Sequence, residues 1–574
     1  MGLDLTHEYS VVDHSYKLLN AGILDNPVIQ KLLPVKAARE YAQRIKFEGN
    51  QAPAIPVNWR FAESIAALKA TEGIMMNALL EQKYGVEPQE VVINIDHAQL
   101  FMISCLLTTI KTEDERAVRT EGFATTSLFP SCDIHRNSAN AYRCCAGNIY
   151  PTKDGRFYHV HSNLNPDKLQ DALGLPHDIE VGRDDYDIAH RIYQDKVIQY
   201  TAAELDELSN EKLRVSGTVV WSVEEYLATE HAKANADRLL WNIHEVPNSN
   251  QEPCWWPSSP ETSAARPLAG LKVVDFSRII AAPTLTRGLA EYGASVMRIT
   301  SPHLPDMGFL HPDMGWGKWN ASLDLRRSED VQKAKDLICE ADVVVYGYRP
   351  EVLSKYGLGV EDVLGMCQSR NRGLIVARLD CYGWVGPWAR RSGWQQISDA
   401  CCGVSLEFGR AMHGTDEPVT PIFPNSDHCA GLAGHLGVIS ALIKRAETGG
   451  SYVVDCSINA YSHWLVQSVG TYPQEVWEKV WSRHGRPKFR HYHPMQYLFP
   501  EGIKMLKANT PHLFNPEFFE DRNAPAMRCK INCVKPVLKF ASGKVHLKFQ
   551  VGARANGIDY PSWPSDLLTE LVTP

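Results

Sequence analysis

From Leu271 onward the chain alternates short apolar runs with helical patterns, and this alternation restricts the fold more than any other feature. Leu271-Lys-Val-Val-Asp-Phe276 reads as a strand, Pro283–Glu291 as a helix stopped before Gly293, and Ala294–Ile299 as a second strand. A helix over Asp330–Glu340, a strand over Val343–Tyr346, a short helix near Val352–Tyr356 and a strand over Leu374–Leu379 continue the pattern. Strands joined through helices pair in parallel, and a parallel sheet needs helices on both faces. The expected fold class is therefore α/β, a parallel Rossmann-like sheet domain with a small α+β lobe.

The segment between Glu245 and Arg266 carries Pro247, Pro253, Pro257 and Pro260 among Ser, Asn and Glu, a composition that suits an exposed linker. Five parts are expected: a helical and strand lobe over 1–135, a small α+β lobe over 136–245, a linker over 246–266, the Rossmann-like domain over 267–470, and a C-terminal return over 471–574. The alternating Val545–Val551 reads as a half-buried strand within that return. His428–Arg445 is a helical pattern stopped by Gly449-Gly450 and followed by the strand Tyr452–Cys456. Phe61–Gln82, Gly85 and Val91–Ile95 repeat that unit, with Ala78-Leu79-Leu80 opposite Ala441-Leu442-Ile443. The pairing suggests an ancient duplication and sets Ser64 opposite Asp427.

With 59 Lys and Arg against 67 Asp and Glu, the net charge of −8 excludes a general nucleic-acid binder. Apolar runs such as Leu100–Leu107 and Leu436–Ile443 fall well short of the about 20 residues that cross a bilayer. The start, Met1-Gly2-Leu3-Asp4-Leu5-Thr6, lacks the basic and apolar regions of a secretory signal. It fits the loose N-acylation pattern only by chance, since Asp4 and the missing basic patch argue against it. Leu571-Val572-Thr573-Pro574 is no peroxisomal tripeptide. The 14 cysteines form no C-x-x-C, as expected of a reduced, cytoplasmic protein without contact to a membrane. Cys132, His135, Cys144, His159 and His161, like His484, His491 and His493, lack zinc-site spacing, so no metal is expected. No G-x-G-x-x-G, Walker loop or G-x-S-x-G occurs, which leaves dehydrogenase, NTPase and serine-hydrolase readings without support. Arg483, Arg486, Lys488 and Arg490 read as a solvated face.

Several motifs then occur in one order: Pro267-Leu-Ala-Gly-Leu-Lys-Val-Val-Asp-Phe-Ser-Arg278, Ala282-Pro283, Tyr292-Gly-Ala-Ser-Val296, Leu323-Asp-Leu-Arg326, and Ala341-Asp-Val-Val-Val-Tyr-Gly-Tyr-Arg-Pro350. Tyr356-Gly-Leu-Gly359, Tyr382-Gly-Trp-Val-Gly-Pro-Trp388 and Glu447-Thr-Gly-Gly-Ser-Tyr-Val-Val-Asp455 complete the series. Together they closely resemble the family III CoA-transferases of the CaiB/BaiF type. The resemblance implies a transferase that moves CoA from an acyl-CoA to a carboxylic acid, with coenzyme A and acyl-CoA as substrates and no resident cofactor. It assigns the nucleophile to Asp427, which would pass through an aspartyl anhydride and an aspartyl-CoA thioester. A first-turn Asp is also a favoured helix cap, and the helix dipole would keep it ionised. By motif position Arg278, Ile279, Ala281, Arg298, Leu323, Arg326, Gly347, Tyr348, Arg349 and Lys355 resemble the family's CoA-binding residues, the arginines suiting phosphate.

Two alternatives stand beside transfer. The superfamily includes acyl-CoA racemases, which need two opposed bases. Where their His and Glu would lie, this chain has Trp394 and Asn165-Pro166, with His428 a neighbour of Asp427. The other alternative is a CoA-binding protein without catalysis. The order of parts departs from the family, because a small-lobe-like segment precedes the CoA domain. The N-terminal half thus resembles the second half of another copy fused ahead of a first half, which implies one active site and either a monomeric pseudo-dimer or a homodimer. Trp384, Trp388 and Trp394 hint at a bulky acyl group, although core packing explains them equally well.

Overall fold

In chain order the framework opens with β1 (Ile45–Glu48), α1 (Phe61–Tyr84) and β2 (Val91–Asn94). It continues with β3 (Trp241–Val246), β4 (Lys272–Phe276), α2 (Ala281–Glu291), β5 (Ser295–Thr300), β6 (Lys318–Ser322), β7 (Val343–Tyr346) and β8 (Ile375–Asp380). α3 (Asn425–Thr448), β9 (Ser451–Ser457) and β10 (Leu538–Phe540) complete it. The computed structural model describes residues 9–573 except 113, 115, 120–122, 124 and 183. The Met1–Thr6 acylation pattern and Pro574 lie outside the described residues.

Seven strands form one sheet in the order β6-β5-β4-β7-β8-β9-β3, parallel throughout except for β3, which runs antiparallel along β9. Val273, Val274 and Val343 to Val345 are wholly buried, which is why these strands read as unbroken apolar runs. The chain leaves β4 toward β5 and β6, then returns to the other side of β4 as β7. That reversal opens a crevice beyond the carboxyl ends of β4 and β7, where open α/β sheets bind ligands.

A smaller sheet, β1-β2-β10, repeats one end of the large one. β1 pairs with β2 in parallel as β8 does with β9, and β10 lies antiparallel on β2 as β3 lies on β9. The connecting helices α1 and α3 each span 24 residues and pack against each other. Both are buried on every side over most of their length, as expected of helices with no polar face. Their starts match as well: Arg60 (φ −78°, ψ 60°) precedes α1 and Pro424 (φ −79°, ψ 52°) precedes α3. Aligned from these starts, the third residue of α3, Asp427, corresponds to Glu63 rather than to Ser64. The sequence pairing slipped by one because both helices are rich in Ala and Leu, which supply no unique register.

The two sheets exchange their last strands. β3 follows β2 in the chain yet completes the large sheet, and β10 follows β9 yet completes the small one. Between β2 and β3 lies the small lobe, with the antiparallel strands Ile149–Pro151, Phe157–His161 and Ser216–Val219. It packs on the large-sheet half through Ile149, Val220, Ala400 and Leu406, and the Trp221 amide donates to the Ala400 carbonyl at 3.1 Å. The C-terminal strand Cys529–Val534 pairs on one side with Phe519–Ala524 and on the other with Thr109–Thr112 of the N-terminal half, antiparallel in both cases.

Val545–Val551 differs from expectation. It alternates in burial, with Val545 and Val551 inside, but joins no sheet. The Arg266 guanidinium takes the carbonyls of His546 and Lys548 at 2.9 and 2.6 Å, so one face packs while no neighbouring strand supplies a ladder. The expected helix near Val352 reduces to a single 3-10 turn, Ser354–Tyr356, closed by Gly357 in the left-handed region.

Candidate active site

The turn between β4 and α2 forms one wall of the crevice. Ile279 has φ +72°, a left-handed conformation that a β-branched residue adopts only when its surroundings impose it. The Ser277 carbonyl is held by Arg298 Nε at 3.2 Å, so the chain must reverse at Ile279 to open α2 at Ala281. No side chain caps α2, and both Ala281 and Ala282 line the cavity in front of it. An 11-residue helix with free first-turn N–H groups favours an anion there. Gly347, just beyond β7, closes against the same turn. A Cβ at Gly347 would lie 2.7 Å from Ala282 Cβ and 2.8 Å from Ser277 Cβ, so only glycine fits.

The cavity has a volume of about 320 Å³, and four of its cations come from different elements: Arg278, Arg349, Arg214 and Lys168. Arg349 follows β7 and donates to the Arg214 carbonyl at 3.1 Å, while Arg278 lies 5.6 Å from the Trp394 ring. Burial and then the like charges of Arg214 and Arg278 pull the Arg349 pKa below its ordinary value. Among the described residues no carboxylate forms an ion pair with these four cations, so the cluster calls for an external anion.

Asp427 lines the same cavity from the first turn of α3, with 8% of its surface exposed and, among the described residues, no hydrogen-bond partner. The start of α3 favours its anion, as the sequence suggests. Burial and then Asp399 outweigh that effect and push its pKa up to about 8. Asp399 itself is pushed up to about 7 by burial and accepts from Ser426 Oγ at 2.9 Å. Glu63, the counterpart of Asp427 in α1, is fully buried and held by Tyr9, by Tyr472 at 3.0 Å and by Arg60 at 3.5 Å.

Of the residues singled out in the sequence, Asp427, Arg278, Ile279, Ala281, Gly347, Tyr348 and Arg349 all line this cavity. Arg298, Leu323, Arg326 and Lys355 do not. Arg298 is buried on Asp306 at 2.7 Å and acts through the Ser277 carbonyl as a strut under the turn. Leu323 belongs to the core beneath the sheet. Arg326 is exposed and pairs with Asp324 at 2.8 Å, and the exposed Lys355 lies 4.8 Å from the Tyr356 ring. Arg490 pairs with Glu417 and Arg486 with Glu478, away from the cavity. His428 is fully buried, 3.4 Å from Thr284 Oγ1 and edge-on to Phe101. Trp394 lines the cavity, whereas Trp384 stacks on Arg378 and Trp388 on His231.

The sequence model of CoA-transferase family III matches residues 268–499. A relative named acetyl-coenzyme A transferase nodX, from Hypoxylon pulicicidum, is 50% identical over 554 residues, covering 96% of this chain and 93% of its own. The chain belongs to the family III CoA-transferases. An acyl-CoA transferase of Gibberella moniliformis is 31% identical over 463 residues, covering 79% of each chain. A solved CAIB/BAIF family protein from Brucella suis matches 35% of this chain and 55% of its own at 28% identity, with a TM-score of 0.31.

In this family III CoA-transferase the site also draws on residues that no motif marks. Lys168, Arg214, Asn163 and Ser162 come from the small lobe, and Asp380 and Cys381 from the end of β8. The β8 residues follow from the switch-point rule once the strand order is known. Those of the small lobe arrive through tertiary packing alone.

Proposed function

We propose that the protein transfers CoA between carboxylic acids, with Asp427 as the nucleophile and the Arg278, Arg349, Arg214 and Lys168 cluster holding the CoA phosphates. The observation that carries this reading is a carboxylate on the first turn of α3 without a hydrogen-bond partner among the described residues, in a cavity where Arg278, Arg349, Arg214 and Lys168 have no ion-pair partner among them either, while a fifth cation, Arg391, is held by Asp206 at 2.8 Å. The Asp427 carboxylate attacks the thioester carbonyl of the acyl-CoA, giving an aspartyl anhydride and CoA thiolate. The thiolate attacks the aspartyl carbonyl, releasing the donor acid and leaving an aspartyl-CoA thioester. The incoming carboxylate reverses both steps and departs as the new acyl-CoA, so the thioester bond energy is conserved. Both intermediates hydrolyse readily, so the route requires the bound substrates to keep water from Asp427, which is itself 8% exposed.

Coenzyme A enters and leaves as substrate, and the relative's name makes acetyl-CoA the first donor to try. The strand exchange and the engaged Glu63 support one active site in a monomeric pseudo-dimer, with the small lobe of one half closing the cavity of the other. Intact-protein mass spectrometry after incubation with acetyl-CoA and hydroxylamine tests the reading. A hydroxamate at Asp427 that is absent from Asp427→Ala is expected; turnover without any modification at Asp427 rejects the mechanism.

A further inference from the structure

Asp427 borders a second cavity, about 790 Å³ in volume, that meets the cationic one only at Ser162, Ile279, Ile280, Trp394 and Asp427. Its chemistry is different. Phe123, Phe309 and Phe499 form an aromatic wall, with Phe123 at 4.9 Å edge-on to Phe309 and at 5.5 Å stacked on Phe499. Met307, Leu310 and Met495 extend it toward the nucleophile. The wall is assembled from three distant stretches of chain, so it is a feature of the whole fold rather than of one motif.

Charge is as informative as size. Arg136 is the single cation among the described residues of this cavity, and it is 70% exposed and paired with Asp178 at 3.1 Å. Of the acids, Asp306 is held by Arg298 and His311, and Asp133 caps the amides of Asn137 and Ser138. A second carboxylate on the substrate would find no inner cation here, and burying it unpaired is costly. The volume falls in the range that encloses a drug-sized ligand, far beyond the needs of an acetyl or butyryl group.

We propose that the acid activated by this enzyme is a monocarboxylic acid with a large, apolar, ring-bearing body, bound along this aromatic wall with its carboxylate at Asp427. The proposal rests on Asp427 being the nucleophile. In the acceptor half-reaction the substrate carboxylate oxygen attacks the aspartyl-CoA carbonyl, and CoA leaves as thiolate. That thiolate then attacks the substrate carbonyl of the anhydride, forming the new acyl-CoA and returning the Asp427 carboxylate. The net exchange is one acyl-CoA and one carboxylate for another pair, with no further reactant.

The test measures kcat/KM with acetyl-CoA as donor and butyrate, succinate, 4-phenylbutyrate, 2-naphthoate or abietate as acceptor, reading acyl-CoA products by mass spectrometry. The ring-bearing acids are expected to exceed butyrate and succinate by at least tenfold. Phe309→Trp and, separately, Phe123→Trp, which place added bulk in the cavity, are expected to reduce that preference at least tenfold. Equal or better transfer to succinate or butyrate overturns the proposal, as does a preference that neither variant moves. Hydroxylamine trapping on the wild type separates the two levels: an adduct at Asp427 without a size preference removes this proposal alone, and turnover without an adduct removes the nucleophile as well.

Discussion

The indole of Trp394 donates to the side-chain oxygen of Asn163 at 2.8 Å, joining the loop before the α3 side of the site to the small lobe of the other half. The resemblance to the superfamily's racemases sets Trp394 and Asn165 opposite their proton carriers, and neither side chain can carry a proton: the indole only donates, and an amide does not titrate. His161 stacks behind Trp394 at 5.5 Å, but burial pushes its pKa down to about 3, too low for an effective base at neutral pH. His428 does not reach the cavity. Incubation of 2-methylbutanoyl-CoA in deuterium oxide is therefore expected to leave the α-carbon unlabelled; labelling as fast as CoA transfer would restore the racemase reading.

Activity should rise with pH. The proposed mechanism needs the Asp427 carboxylate, and burial, then Asp399, push the pKa of that group up to about 8. The kcat/KM is expected to climb about tenfold per unit below that value and level off above it. Asp399→Asn removes the second cause of the shift and should move the profile to lower pH. Stability changes in the opposite direction. Below the ordinary aspartate pKa both folded and unfolded forms are protonated and the group contributes no cost. As pH rises toward about 8 the unfolded chain ionises first, at about 1.4 kcal/mol per unit of difference. Asp427→Asn should thus raise Tm at pH 8 and leave it nearly unaltered at pH 4, and equal shifts at both would contradict the burial argument.

Much of the large sheet and its ligand-binding turn was legible because local pattern decides them. The apolar runs at Val273 and Val343 can only be strands covered on both faces, and Gly347 and Arg349 follow a strand end where ligands of such sheets bind. Arg298 was misleading for the opposite reason. A motif gives its place in the chain, while its role depends on Asp306 and Ser277, which reach it only in the fold. Glu63 was missed because an Ala- and Leu-rich helix fixes its own start poorly. The aromatic wall was illegible altogether, since Phe123, Phe309 and Phe499 share no spacing.

The proposed CoA-phosphate cluster predicts which cations affect binding. If Arg349 holds a CoA phosphate as proposed, Arg349→Ala would remove a charge-assisted contact of about 1.5 to 3 kcal/mol and is expected to raise KM for acetyl-CoA roughly tenfold to a hundredfold, with a smaller effect on kcat. Arg326→Ala and Lys355→Ala alter exposed groups outside the cavity and should leave KM within about twofold, the usual range for exposed positions. An equal rise in all three variants would mean that CoA extends along the outer face instead.

The exchange of β3 and β10 makes a prediction about the whole chain. A protease site inserted between Ser258 and Ser259, in the segment linking the halves, would leave one fragment with β1, β2 and β3 and another with β4 to β10. Each fragment would then hold a strand that completes the sheet of the other, β3 on β9 and β10 on β2. α1 and α3, buried against each other, would add the apolar area lost on separation. After cleavage the fragments are expected to co-elute at the mass of one chain, keep CoA binding and unfold in a single transition. Fragments that separate in native buffer would show that the exchanged strands do not hold the halves together, and an uncut protein sedimenting as an obligate two-chain assembly would remove the monomeric pseudo-dimer.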